Sequence, residues 1–192
     1  MKKTFYEALC PIPRGGGFRD DNYFIWCGSA VYAEDKYHIF ASRWPKTSFF
    51  PNGYLEHSEV VRAVSDTPEG PYTYVETVLK GRGEPFWDTC MIHNPTIKKI
   101  SDQYVLFYIS NKTPDDLDSR AIGYACSHSI KGPWKRCDKP ISIIKDSNNP
   151  SALIRPDGSV LLAFRYANAR IGIIGAKTFD GEYNWLNRDI MP

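Results

Sequence analysis

An acidic and an imidazole side chain lie close together in the stretch WDTCMIHNP, at Asp88 and His93. Both side-chain types transfer protons in enzymes, and the unperturbed pKa of histidine lies near neutrality. Asp20 and Asp21 form a second acidic pair, between a glycine-rich arm and the stretch NYFIW. The sequence therefore predicts acid/base chemistry at Asp88, His93 and Asp21. Solvated turn or loop aspartates are the alternative interpretation of the carboxylates.

Amide, imidazole and indole side chains occur where apolar stretches begin. They are Trp26, His93, Asn94, Asn148 and Asn149. Asparagine and histidine form hydrogen bonds with hydroxyl groups, and an indole face packs well against the apolar face of a sugar ring. We interpret these residues as ligand-binding, with Trp26, Asn94 and Asn149 as substrate contacts. The alternative is that the Asn-Pro pairs only shape the start of a strand.

Arginine ends two matching apolar stretches, at Arg43, which precedes Trp44, and at Arg165. Guanidinium groups bind carboxylates and other oxygen acceptors, so Arg43, Trp44 and Arg165 are further predicted substrate-binding residues. The alternative is that both arginines pin neighbouring sheets together. Glu59, in the stretch HSEVVRA, is expected to form a salt bridge with Arg62 or Arg43.

One frame of residues occurs three times. A serine or threonine at 29, 96 and 151 is followed by an aspartate at 35, 102 and 157, and then by an apolar stretch: YHIFAS, YVLFYI or SVLLAF. Aspartate suits a tight turn here, and Asp157-Gly158 is a strong hairpin signal. A second element repeats in step, at Gly70-Pro71-Tyr72, Gly132-Pro133-Trp134 and Gly181-Glu182-Tyr183. The chain therefore contains three copies of one unit.

Each unit is predicted to form four strands, and no amphipathic helix is predicted. The strands are 26–33, 36–43, 58–65 and 72–79, then 93–98, 103–109, 120–126 and 134–137, then 149–154, 159–165, 170–177 and 183–187. Repeated units of four antiparallel strands are typical of β-propeller blades. We expect an all-β fold, with one partial propeller domain over 1–192 and blades at about 22–80, 88–138 and 147–188. An all-β sandwich is the alternative.

Composition argues against several classes of function. The 192-residue chain has 24 basic and 22 acidic side chains and no basic run, which disfavours nucleic acid as a partner. No stretch approaches the roughly 18 apolar residues of a membrane span. The five cysteines include no Cys-x-x-Cys pair, so no disulfide framework, metal site or other cofactor is predicted. No signal peptide is visible and we expect a cytoplasmic protein; a leader already removed is the alternative.

Five stretches of the chain carry a resemblance to known proteins. They are WCGSAVYAEDKYHIFASRWP, SEVVRAVSDTPEGPY, WDTCMIHNPTI, GYACSHSIKGPW and NNPSALIRPDGSVLLAFR. Together they resemble the five-bladed propeller glycosidases of glycoside hydrolase family 43 and its relatives, in particular an uncharacterised glycoside-hydrolase-like or sucrase-like branch. The resemblance covers roughly residues 14–177 and implies the first three blades. The remaining blades would come from a longer parent chain, or from another chain in an oligomer.

The resemblance also implies a carbohydrate ligand and an inverting hydrolysis by carboxylates at the propeller axis. In family 43, two aspartates typically open inner strands as Asp-Pro. The matching positions here are Cys27, Asn94 and Asn149, and none is an acid. The sequence thus predicts a glycoside hydrolase-like protein acting on an oligo- or polysaccharide. The alternative is a non-catalytic or vestigial carbohydrate-binding propeller fragment, possibly completed by another chain.

Overall fold

The computed structural model describes residues 4–9, 11, 13–141 and 144–190. Within them, β-strands form three antiparallel sheets of four strands each, and every sheet follows chain order. The first sheet contains β1 (Tyr23–Ala33), β2 (Lys36–Pro45), β3 (Glu59–Ser65) and β4 (Thr73–Leu79). The second contains β5 (His93–Ile100), β6 (Gln103–Ser110), β7 (Ala121–Ser127) and β8 (Lys135–Arg136). The third contains β9 (Asn148–Ile154), β10 (Val160–Tyr166), β11 (Arg170–Ala176) and β12 (Asn184–Asn187). The predicted all-β fold of three four-stranded blades is confirmed.

The predicted turns recur in all three sheets. Two-residue turns join β1 to β2 and β5 to β6. Asp35, in the first turn, has a positive φ of 59°, which aspartate tolerates better than most residues. The Asp157 carboxylate accepts hydrogen bonds from the backbone N–H and the hydroxyl of Ser159, at 2.9 and 2.7 Å. The hydroxyls of Tyr72 and Tyr183 each donate to the carbonyl four residues earlier. The sequence repeat is therefore also a repeat of local contacts.

The second sheet is buried on both faces. Alternate residues of β6 pack against the third sheet and the first sheet, because side chains along a strand point to opposite faces. Val105, Phe107 and Ile109 belong to the core shared with the third sheet, and Tyr104, Leu106 and Tyr108 to the core shared with the first. In the third sheet, burial alternates along β10, so one of its faces is covered and the other is partly exposed.

Short helices are present where the sequence predicts none. They are α1 (Phe5–Ala8), α2 (Tyr54–His57) and a 3-10 turn (Leu117–Ser119). Each is about one turn long, too short to give the apolar periodicity by which a helix is recognised. The helices that the structure describes also lack the length and apolar character needed to cross a membrane.

Candidate functional site

The starts of the innermost strands β1, β5 and β9 meet around a small pocket. Its volume is about 180 Å³. The residues that line it are Trp26, Trp44, Phe50, Pro51, Tyr54, His93, Asn94, Asn148 and Asn149. The structure thus brings together six residues predicted from the sequence: Trp26, Trp44, His93, Asn94, Asn148 and Asn149.

Each innermost strand is irregular at the same place in the repeat. Cys27, Asn94 and Asn149 have positive φ values of 45°, 50° and 51°. The regular pairing of each strand with its neighbour is interrupted at these positions. Such β-bulges re-aim side chains and are frequent next to binding sites. The repeated bulge is therefore the backbone feature that directs the strand openings toward a common pocket.

Three asparagine side chains form a hydrogen-bonded network in the pocket. The backbone N–H of Asn149 donates to Oδ1 of Asn148 at 2.8 Å, which identifies that atom as an acceptor. Nδ2 of Asn94 donates to the same oxygen at 3.1 Å and also to Oδ1 of Asn149. The backbone N–H of Asn94 donates to Oγ of Ser42 at 2.9 Å. Oδ1 of Asn94 is buried and has no partner among the described residues.

Aromatic side chains form the wall of the pocket. Trp26 is 48% exposed, so its ring is available to a ligand. Trp44 is buried behind it, with ring centroids 6.3 Å apart, and Phe50 stacks on Trp44. Nε1 of Trp44 is a buried donor that lacks a partner in the described part of the chain. Buried polar atoms are normally paired, and these two exceptions, Trp44 Nε1 and Asn94 Oδ1, both belong to residues that line the pocket.

His93 is held between two aromatic rings. It stacks on Tyr54 with centroids 4.7 Å apart and meets Trp44 edge-on at 5.8 Å. Its Nδ1 lies 2.7 Å from Oγ of Ser58. Burial, with a smaller contribution from the positive charge of Arg120, lowers the pKa of His93 to about 3. The imidazole is therefore neutral near pH 7 and has no proton to donate from a charged form, so the acid part of the predicted acid/base role of His93 is not supported.

Asp88 does not lie in the pocket. It is fully buried, and its carboxylate accepts hydrogen bonds from Arg82 Nε at 2.6 Å, Arg136 Nη1 at 3.0 Å and the Tyr108 hydroxyl at 2.9 Å. A carboxylate with no accessible surface and three donors is not free to contact a substrate. We therefore replace the predicted catalytic role of Asp88 with a structural one, in which it joins the loop before β5 to the outer part of the second sheet.

Arg43 lies outside the pocket, although it was predicted to bind substrate. Its guanidinium is sandwiched between the rings of Tyr23 and Tyr74, at 4.1 and 4.3 Å, and Nε donates to Glu59 at 2.8 Å. The expected salt bridge of Glu59 is thus made with Arg43. These residues border a larger groove of about 780 Å³, in which Glu59 is also paired with Lys80. Arg43 and Lys80 thus pair with the same carboxylate, Glu59.

Two further predicted residues also lie outside the lining of the pocket. Oδ1 of Asp146 lies 3.5 Å from Nη2 of Arg165 and 3.3 Å from Nε of Arg120. Neither contact has hydrogen-bond geometry. Because Arg120 precedes β7 and Arg165 is in β10, this cluster links the second and third sheets, as in the blade-pinning alternative. Asp21 is exposed in the segment before β1, which fits the solvated-loop alternative.

The sequence reasoning missed Phe50, Pro51 and Tyr54. All three come from the connection between β2 and β3, which folds over the pocket. The cluster FFPNGY at 49–54 is a usable signal, because such a concentration of aromatic residues is unusual in a solvated loop.

A shallow channel continues along the innermost strands. It has a volume of about 370 Å³ and includes Cys27, Lys98 and Ser151. Cys27 is exposed, but partial desolvation still raises the pKa of its thiol, which favours the protonated form near pH 7. Cys10 lies outside the described residues. Within the described residues, no group of three or more histidine, cysteine or acidic side chains is arranged to hold a metal ion.

No family model matches the chain, and no curated protein is significantly similar to it in sequence. Solved structures do share its fold. A family 117 glycoside hydrolase of the marine bacterium Zobellia galactanivorans has a TM-score of 0.74 and 16% identity, over 88% of this chain and 57% of that protein. The RS223 β-xylosidase has a TM-score of 0.70 and 19% identity, over 89% of this chain and 60% of that one. A GH43_1 enzyme of Xanthomonas citri, complexed with xylose, has a TM-score of 0.64 and 15% identity, over 86% and 55%.

The chain spans between 55% and 60% of the length of these neighbours. At such low identities the likeness establishes the fold alone. It agrees with the resemblance of the five sequence stretches and with the three four-stranded sheets. The chain therefore has the β-propeller fold of glycoside hydrolases of families 43 and 117, of which it contains three blades.

Proposed function

We propose that this chain binds carbohydrate in the pocket between its innermost strands. The observation that carries the proposal is the pair of buried, unpartnered polar atoms, the donor Trp44 Nε1 and the acceptor Asn94 Oδ1. An exposed indole ring and several amides beside them supply the apolar and polar contacts that a sugar ring needs. A volume of about 180 Å³ is smaller than a typical drug-sized site of about 300–1,000 Å³ and suits a single sugar unit.

Hydrolysis of a glycosidic bond is the second candidate, and the fold of the neighbours favours it. An inverting mechanism needs an acid and a base about 6.5–9.5 Å apart. The described pocket lining contains no carboxylate, and His93, with a pKa of about 3, is a weak base and no acid near neutrality. Hydrolysis would therefore need carboxylates from outside this lining, and sugar binding is the function that the residues of the chain support best.

Titration with xylose and xylotriose, followed by tryptophan fluorescence and calorimetry, tests binding. We expect Trp26→Ala to abolish binding, because its ring is the exposed wall of the pocket. Tyr32→Ala is the matched control, since Tyr32 is another exposed aromatic residue of β1 and does not line the pocket. Binding that survives Trp26→Ala, or the absence of binding across xylose, arabinose, galactose and their oligosaccharides, would contradict the proposal. Release of reducing sugar from xylotriose would establish the second candidate.

We also propose that a further blade covers the exposed face of the third sheet. Leu153 and Leu186 are 61% and 56% exposed there, and the longer chains of the structural neighbours have room for such a blade. With this face uncovered, the isolated chain should self-associate as its concentration rises, and Leu153→Lys should restore a mass near 21.9 kDa in light scattering. A wild-type chain that stays monomeric at high concentration would contradict this assignment.

A further inference from the structure

Ser58 gives the two ring nitrogens of His93 different roles. Oγ of Ser58 lies 3.0 Å from the carbonyl oxygen of Ile92 and 2.7 Å from Nδ1 of His93. A hydroxyl has a single proton, and a carbonyl oxygen can only accept. Ile92 is fully buried, and a buried carbonyl requires a donor. Ser58 therefore donates to Ile92 and accepts from the protonated Nδ1 of His93, which leaves Nε2 with its lone pair.

The asparagine network fixes a second acceptor in the same way. The backbone N–H of Asn149 can only donate, so the atom of Asn148 that it meets is the oxygen. The atom of Asn94 that faces this oxygen must then be the nitrogen, which also donates to Asn149. Oδ1 of Asn94 is consequently the atom left without a partner. The amide orientations of Asn148 and Asn94 therefore follow from their hydrogen-bond partners, and not from the shape of the side chain, in which oxygen and nitrogen look alike.

We propose that the pocket selects neutral ligands that donate two hydroxyl protons, one to His93 Nε2 and one to Asn94 Oδ1, with Ser58 as the positioning residue for His93. This inference rests on the proposed sugar-binding function and specifies its ligand class. The two acceptors belong to consecutive residues that line one pocket. A sugar with neighbouring hydroxyls satisfies both, whereas a carboxylate ligand has no proton to donate and would meet two acceptors.

The state of His93 can be measured without any ligand. Long-range nitrogen-15 NMR distinguishes the two neutral tautomers, and His93→Asn assigns the signal by its loss. His38 is an internal reference, because its Nε2 faces the carbonyl of Ala33 at 3.0 Å and must carry the proton. We expect opposite tautomers for His93 and His38. A proton on Nε2 of His93 would overturn the proposal.

Substitutions at Ser58 test the positioning role. Ser58→Ala removes the acceptor for Nδ1–H and should produce a mixture of tautomers, while Ser58→Thr keeps a hydroxyl and should preserve the wild-type signal. Ser110→Ala is the matched control, since Ser110 is a fully buried serine outside the pocket whose Oγ has no partner among the described residues. An unchanged tautomer in Ser58→Ala, in a variant that remains folded, would refute the role of Ser58.

Ligand selection is tested with methyl β-D-xyloside and its monodeoxyfluoro analogues at C2, C3 and C4. Fluorine cannot donate a hydrogen bond, so replacing a hydroxyl that faces a buried acceptor should weaken binding about tenfold or more. We expect this loss at two ring positions in the wild type, and in Ser58→Ala a smaller loss at the position that faces His93. Equal binding of all the analogues would overturn the selection. If the tautomer is as expected but no glycoside binds, the sugar-binding function and the hydroxyl selection both fail, and the role of Ser58 stands.

Discussion

Asp88→Asn distinguishes a structural carboxylate from a ligand-binding one. The substitution preserves size but removes the negative charge and turns one acceptor into a donor. In the wild type, the carboxylate pairs with Arg82 and Arg136 and accepts from the Tyr108 hydroxyl, all within 3.0 Å. The new amide nitrogen would face one of these donors, and both guanidinium groups would lose their counter-ion. We therefore expect a large loss of stability and no direct loss of ligand affinity.

The magnitude follows from the burial of the partners. Removing one member of a buried ion pair costs about 3–5 kcal/mol, because a charge is left uncompensated. The side chains of Arg82 and Arg136 are 18% and 15% exposed, so water can replace part of the lost interaction. This shifts the expected cost somewhat below that range, to about 2–4 kcal/mol. Tyr108→Phe, which removes a single hydrogen bond to Asp88, should cost only about 1 kcal/mol.

Urea unfolding at pH 7, followed by circular dichroism, measures both values. The affinity of the folded variants for xylotriose is then compared with that of the wild type. A loss below 1 kcal/mol in Asp88→Asn would refute the structural role of this network. Normal stability combined with lost sugar binding would restore Asp88 as a ligand-site residue.

Three other outcomes are expected. The free energy of unfolding should decrease as the pH falls from about 6.5 toward 3, because the unfolded chain then binds a proton at His93 that the folded chain excludes. Urea unfolding across this range should show a weaker dependence of this free energy on pH in His93→Gln. An unchanged pH dependence would count against the buried neutral imidazole. Gly123→Ala should lower the free energy of unfolding by about 1–3 kcal/mol, because a methyl group there would overlap the ring of Trp87. Thermal unfolding measures this loss, and an unchanged melting temperature would show that the contact is loose. Arg43→Lys should lower the free energy of unfolding by about 1–2 kcal/mol, because the guanidinium would no longer stack on the two tyrosine rings, and should leave the affinity for xylotriose unchanged. A lower affinity in a variant of normal stability would show that Arg43 belongs to the ligand site.

Local patterns predicted the strands well, and long-range contacts explain the errors at the site. The turn at Asp157 is encoded by adjacent residues and is readable in one sequence. The presence of an aspartate at position 88, by contrast, does not reveal that Arg136, from a distant part of the sequence, will form an ion pair with it. One error was avoidable. Arg43 and Trp44 are neighbours in a regular strand, so their side chains point to opposite faces, and only one of them could line the pocket.

The amide network also bears on whether this site could accommodate an acid. Aspartate has the shape of asparagine and tolerates a positive φ, so the backbone at Asn94 would accept the carboxylate that the resemblance to family 43 places there. The neighbours would not, because the new oxygen would face the side-chain oxygens of Asn148 and Asn149. Asn148 cannot turn its amide over without losing the bond from the Asn149 backbone. An acid at position 94 therefore requires a second substitution, because the three amides together form a network that does not accommodate a carboxylate.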